Sequence, residues 1–139
     1  MSLQEKINSI YSFKDSLGEN LIGIEKEGLR VAKDGSIAQT PHPDSYGSAL
    51  THPEITTDFS EALVEIVTRP MKGATNAIDE LSKINHYINH HLANNERFWP
   101  ASMPCILRGK TNIPIAYYGE SNLGKMKTVY RRGLANRYG

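Results

Sequence analysis

The stretch Leu63-Val64-Glu65-Ile66-Val67-Thr68 constrains this chain more than any other, because it is the most apolar run and carries one carboxylate at its middle. Val, Ile and Thr lose rotamer freedom in a helix and fit a pleated surface. Glu61 and Glu65, four apart, would share a helix face, but the density of β-branched residues decides for a strand over 60–68. A carboxylate buried there without a partner would cost several kcal/mol, so something cationic should face Glu65. An arginine partner, an exposed sheet face and a bound cation all satisfy that requirement.

A second acidic pair lies upstream. Residues 20–31 alternate as a strand closed by the turn signal Asp34-Gly35, and Glu25 and Glu27 then emerge on one face, roughly 7 Å apart. Two carboxylates so placed suit magnesium, which takes oxygen ligands and usually one or two carboxylates beside substrate phosphates. An isolated pair of this kind is more often the wet face of an edge strand. Ser2 followed by Glu5 is a capping-box pattern, and Leu3, Ile7, Ile10, Tyr11 and Leu17 predict a helix over 3–17, ended by Gly18. Thr40 to Asp58 reads as an ordered loop. A helix follows from Thr75 or Asn76 to about Asn95, on Ile78, Leu81, Ile84, Ile88 and Leu92. Pro100, Pro104 and Gly109 break the chain before a short strand at Ile113 to Tyr118 and a basic helix from Ser121 or Asn122. The mixture indicates an α+β fold.

Several functions are excluded on charge and composition. The 139 residues suffice for one modest domain, and 16 basic against 15 acidic residues leave no global field to recruit nucleic acid or an anionic membrane. The one cysteine, Cys105, cannot form an internal disulfide. The N-terminus has charges where a signal peptide needs an apolar run, and no stretch approaches the length of a membrane span, so a cytoplasmic protein is expected. The last segment reads as a helix that stops without a polar tail, which predicts a truncated sequence. Lys125, Lys127, Arg131, Arg132 and Arg137 on that helix could meet phosphate, although a solvated basic face is the commoner arrangement. Asp58 is by default a cap or turn residue and alternatively a receiver of an ammonium or a metal. His86, His90 and His91 read as surface histidines and Cys105 as a small core residue.

Longer strings around these residues resemble glutamate-cysteine ligase of the proteobacterial type. They are Gly23 to Val31, Gly47 to Pro53, Ile55 to Glu65, Trp99 to Cys105, Tyr118 to Asn122, Lys127 to Leu134 and Asn136 to Gly139. Tyr117 stands where the family pattern has glutamine and Arg132 where it has an acid. The resemblance implies the N-terminal portion, 1–139, of a single catalytic domain whose C-terminal remainder is missing. It implies part of a glutamine-synthetase-like fold, with a curved antiparallel sheet and flanking helices. The implied reaction is ATP-dependent ligation of the γ-carboxylate of L-glutamate to the amine of L-cysteine through a γ-glutamyl phosphate, the first step of glutathione biosynthesis. Magnesium, or manganese in its place, would be held by Glu25, Glu27 and Glu65. Asp58 and Tyr130 would lie around the cysteine site and Arg131 would serve catalysis by handling phosphate or carboxylate charge. The full-length enzyme would act as a monomer on small molecules, with neither nucleic acid nor membrane as partner, and the piece alone should be inactive. Another ATP-dependent carboxylate-amine ligase of the same fold, or a noncatalytic binding module, are the competing readings.

Overall fold

The computed structural model describes residues 1–16, 20–93, 95–107 and 113–138, the last five of them as helical backbone. The apolar run is indeed a strand. β4 (Leu63–Val67) lies in a four-stranded antiparallel sheet of order β3-β4-β2-β6, with β2 at Glu25–Ala32, β3 at Ile55–Thr56 and β6 at Glu96–Phe98. Val64 and Ile66 point one way and are fully buried; Leu63, Glu65 and Val67 point the other way and are half-buried.

The strand expected over 20–31 divides in two. β1 (Leu21–Ile22) leaves to pair with β5 (Met71–Lys72) as a separate two-stranded ribbon, and β2 begins only at Glu25. At the break the Ile24 N–H donates to Thr68 Oγ1 at 2.8 Å and the Thr68 N–H to the Ile24 carbonyl at 2.9 Å, so one threonine replaces a ladder partner. At the other end Gly35 takes a φ of 83°, closing the turn that returns Ile37 against Val31.

Helix α2 (Ala74–His90) covers one face of this sheet. Ile84 and Ile88, four apart and therefore on one stripe, join Tyr46, Ile55, Val64 and Ile66 in the main core, with Leu81 and Phe98 at its rim. Tyr46 arrives on a short 3-10 turn, Asp44–Tyr46, inside the expected loop; its hydroxyl donates to the Ile88 carbonyl at 2.9 Å and burial pushes its pKa up to about 12. Gly28 shares this face, paired with Val64, and a Cβ there would sit 2.3 Å from Phe98 Cζ. Two residues on, Arg30 is 1% exposed. It bonds Glu96 Oε2 at 2.7 Å, Thr40 Oγ1 at 2.6 Å, and the carbonyls of Thr40, Pro41 and Glu61 at 2.8 Å each. The opposite face carries a smaller core of Val31, Ile37, Ala38, Ala62 and Cys105, backed by Leu29 and Trp99.

Four boundaries differ from expectation. Helix α1 (Leu3–Tyr11) has the full capping box, Glu5 N–H to Ser2 Oγ at 3.2 Å and Ser2 N–H to Glu5 Oε2 at 2.6 Å, but ends well before residue 17. There the Ser12 hydroxyl donates back to the Ser9 carbonyl and tighter turns carry the chain to Ser16. Leu17 and Gly18 lie outside the described residues, as do Asn94 and Gly109. Helix α2 starts at Ala74, directly after Gly73 at φ 74°, and stops at His90 rather than near Asn95. The strand expected over 113–118 is a single bridge between Ser60 and Ile115, because Pro114 has no N–H to extend a ladder. Helix α3 (Asn122–Tyr138) begins as expected.

Candidate functional site

The sheet register brings the acidic residues together. Glu27 and Glu65 are direct partners across β2 and β4, Glu25 lies two positions along on the same face opposite Val67, and Thr56 flanks Glu65 from β3. No hydrogen bond or ion pair to a described residue satisfies any of these three carboxylates. Like charges directly opposite each other destabilise a sheet, and burial raises the Glu65 carboxyl pKa above its ordinary value. Asp58, Glu27 and Glu25 push it further the same way, while Lys127 opposes them. Among the described residues no arginine pairs with Glu65. Three hard oxygen donors fit a divalent cation chemically, yet among the described residues no three such side chains are gathered tightly enough to hold a metal ion. They are juxtaposed rather than caged.

Helix α3 supplies the cationic side of the site. Ser121 Oγ accepts the Gly124 N–H at 3.1 Å, capping the helix, and Gly124 lies so close to the preceding backbone that a Cβ would meet the Tyr118 carbonyl oxygen at 2.3 Å. That approach points Arg131 at Asp58, with which it forms a half-buried ion pair. Asp58 is thus a bend residue already engaged by arginine. The Arg131 guanidinium also lies 5.5 Å from the Tyr130 ring centroid, and its Nε is buried without a partner. Tyr130 itself is 61% exposed. Asp58, Tyr130 and Arg131 thus form one group, and Asp58 is close enough to Glu65 to act on it.

Two residues that the sequence did not single out hold this arrangement. Tyr118 is buried, its hydroxyl donates to the carbonyls of Thr57 and Asp58, and its ring lies 4.9 Å beneath the Lys127 ammonium. Glu61 is buried and its two oxygens accept the backbone N–H groups of His42 at 2.6 Å and Tyr117 at 2.5 Å. It fastens two loops across a cleft of about 310 Å³ that His42, Glu61 and Tyr118 line. Nothing in the spacing of either residue announces such a role. The remaining candidates are as expected: Cys105 is buried with its thiol pKa raised by desolvation, and His86 and His90 are exposed on α2. No helix among the described residues is long and apolar enough to cross a membrane.

The family model described as Glutamate-cysteine ligase matches residues 7–139. The chain is 52% identical over 117 residues to the glutamate-cysteine ligase of Alcanivorax borkumensis, covering 84% of this chain and 22% of that protein. To the ligase of Pseudomonas entomophila it is 47% identical over 137 residues, 99% of this chain and 26% of the relative. Among solved structures it superimposes with a TM-score of 0.83 on the glutamate-cysteine ligase of Francisella tularensis in complex with AMP, at 42% identity over 87% of this chain and 24% of that one. A bifunctional glutathione synthetase from Pasteurella multocida matches with a TM-score of 0.81 at 32% identity, over 96% of this chain and 17% of its own. The α+β class and the glutamine-synthetase-like relationship hold, and the chain spans about a quarter or less of the length of these relatives.

Proposed function

Because this chain belongs to the glutamate-cysteine ligase family, we propose that it contributes the acidic part of a site joining the γ-carboxylate of L-glutamate to the amine of L-cysteine, driven by ATP. The observation that carries this reading is the register: Glu27 opposite Glu65 with Glu25 on the same face, three carboxylates that no described residue pairs. Glu25, Glu27 and Glu65 would hold magnesium, or manganese in its place. When bound, the cation would offset the negative charge that ATP and glutamate bring together. The AMP bound by the Francisella tularensis ligase supports a nucleotide as co-substrate.

A free carboxylate does not acylate an amine, because its oxygen is a poor leaving group. Transfer of the γ-phosphoryl of ATP to the γ-carboxylate gives ADP and an acyl phosphate; attack by the cysteine amine then releases phosphate, and the amine proton passes to solvent. In that sequence the chain's own residues position and neutralise. Asp58 and Tyr130 would border cysteine, with Asp58 receiving an ammonium or thiol-side donor. Arg131, with a free buried Nε beside its ion pair, would hold a phosphate or carboxylate oxygen. The product is the precursor of glutathione.

The test is a chimera in which this chain replaces the matching 26% of the Pseudomonas entomophila ligase. Glutamate- and cysteine-dependent ADP release is expected from the chimera, little or none from the 139-residue chain alone. Loss of turnover is expected in the Glu65→Gln chimera, and undiminished turnover there would overturn the metal assignment. Preference for a different amine in the same assay would make it another carboxylate-amine ligase.

A further inference from the structure

Resting on the reading that sets Asp58 beside the cysteine substrate, we propose that Tyr118 is a positioning residue for that substrate, because its hydroxyl fixes the backbone from which the Asp58 carboxylate departs. Asp58 sits on a bend between β3 and β4, outside either strand. The segment after it is held by residues 114–116. The Glu61 N–H donates to the Pro114 carbonyl at 2.8 Å, the Ala116 N–H donates to the Phe59 carbonyl at 3.0 Å, and Ser60 bridges Ile115. One step further this backbone pairing ends among the described residues, and the Tyr118 side chain takes its place. The hydroxyl donates to the Thr57 carbonyl at 3.2 Å and more closely to that of Asp58. Thr57 has a second donor in the Thr56 hydroxyl, at 3.2 Å, whereas among the described residues nothing else bonds the Asp58 carbonyl.

The rest of Tyr118 seats the partner of that carboxylate. Its side chain is buried, with the Lys127 ammonium 4.9 Å over the ring, and its carbonyl oxygen is the atom against which Gly124 packs. One residue therefore fixes both the Asp58 bend and helix α3, which carries Arg131 to Asp58. A misplacement of about 1 Å in a group that orients a substrate can cost on the order of a hundredfold. Removing the hydroxyl alone leaves the ring and the helix seat in place, frees the Asp58 carbonyl and lets the bend drift. Tyr118 touches no reacting atom in this scheme.

Tyr118→Phe in the chimera with the Pseudomonas entomophila ligase tests it, through kcat and the KM values for cysteine and glutamate measured by ADP release. The KM for cysteine is expected to rise roughly tenfold, with kcat and the KM for glutamate within about twofold, the signature of binding lost at one substrate. Asp58→Asn is expected to raise the KM for cysteine at least as much. Adding Tyr118→Phe to Asp58→Asn should change it no further, since the hydroxyl acts through that residue. A KM does not depend on how much of the protein is folded, so partial unfolding leaves this readout intact. An unchanged cysteine KM in Tyr118→Phe, where Asp58→Asn raises it, overturns the positioning role alone. So do full additivity of the two changes, an equal rise in both KM values, or a Tyr118→Phe chimera that fails to fold, because each makes the hydroxyl an element of the fold only. An unchanged cysteine KM in Asp58→Asn, or loss of turnover there at every cysteine concentration, overturns the reading of the cysteine site and the inference with it.

Discussion

The face of the sheet that α2 covers encloses a charge, Arg30, and the face turned toward α3 half-encloses another, Glu65, yet the two are treated in opposite ways. Arg30 spends both terminal nitrogens on five acceptors, among them the buried carboxylate of Glu96 and three backbone carbonyls from two separate segments. Among the described residues Glu65 has no such partner, and it faces another carboxylate across the ladder. The first arrangement locks strands to loops; the second leaves an attraction for cations unspent. Among the described residues, paired and unpaired charges are thus sorted onto opposite sides of the same strands.

The largest test of that contrast is Arg30→Met. It strands Glu96 in the interior and is expected to cost about 3–5 kcal/mol in urea denaturation, enough to prevent folding in a marginal domain. A cost under roughly 1 kcal/mol would show that the network is dispensable. Next, Gly28→Ala drives a methyl into the Phe98 ring on the same face, with an expected loss of about 1–3 kcal/mol. In a Gly28→Ala, Phe98→Leu double mutant the combined loss should be smaller than the sum, because the clash is gone; strict additivity would refute the contact. On the acidic face the sign reverses. Glu65→Gln should stabilise the metal-free chain by about 0.5 kcal/mol, since it removes a like-charge pair, while abolishing ligation in the chimera. A destabilised Glu65→Gln would mean that the carboxylate serves the fold.

Titration separates the two sides further. The Glu65 pKa is raised in the folded chain, so the native state binds the proton more readily than the unfolded one between the ordinary carboxylate value and that raised value. Stability therefore falls as pH rises through that window, and Glu65→Gln should flatten the slope. Glu80 on α2 has the opposite sign, because its hydrogen bond from Arg69 holds it below the ordinary range. Its contribution is complete above the ordinary carboxylate value and is lost as pH falls through the depressed one. Urea midpoints across pH for the two Gln variants read both slopes. The smallest effect is expected from Ser2→Ala: about 1 kcal/mol lost from α1, visible in amide exchange over residues 3–11, with no change in global unfolding because α1 buries no side chain.

The parts legible in the sequence were those decided locally. The β-branched density fixed β4, the Ser2 and Glu5 pair fixed the start of α1, and Ser121 fixed that of α3. Parts decided by distant partners were not. Alternation in β2 placed Glu25 and Glu27 together, but gave no sign that Lys26, Gly28 and Arg30 would face the main core, where charge is normally excluded; Glu96, far along the chain, together with acceptors at 40, 41 and 61, makes Arg30 tolerable there. The need for a cation opposite Glu65 was readable from burial cost alone. Among the described residues none supplies it as an ion pair, and the close seating of Gly124 on Tyr118, which brings Lys127 over the Tyr118 ring, had no signal in the sequence. Likewise the expected strand at 113–118 overlooked Pro114, whose missing N–H limits the pairing to one bridge.

Helix α3 turns Lys127 and Arg131 to the sheet and leaves Leu123, Met126, Val129 and Tyr130 49–70% exposed, while α1 exposes Leu3, Ile7, Ile10 and Tyr11. These side chains are hydrated before the chain unfolds as well as after. They therefore add little to the heat-capacity increment of unfolding or to the denaturant dependence, both of which scale with newly exposed surface. Calorimetrically the chain should behave like a smaller protein than its length suggests, with a shallow and broad stability curve.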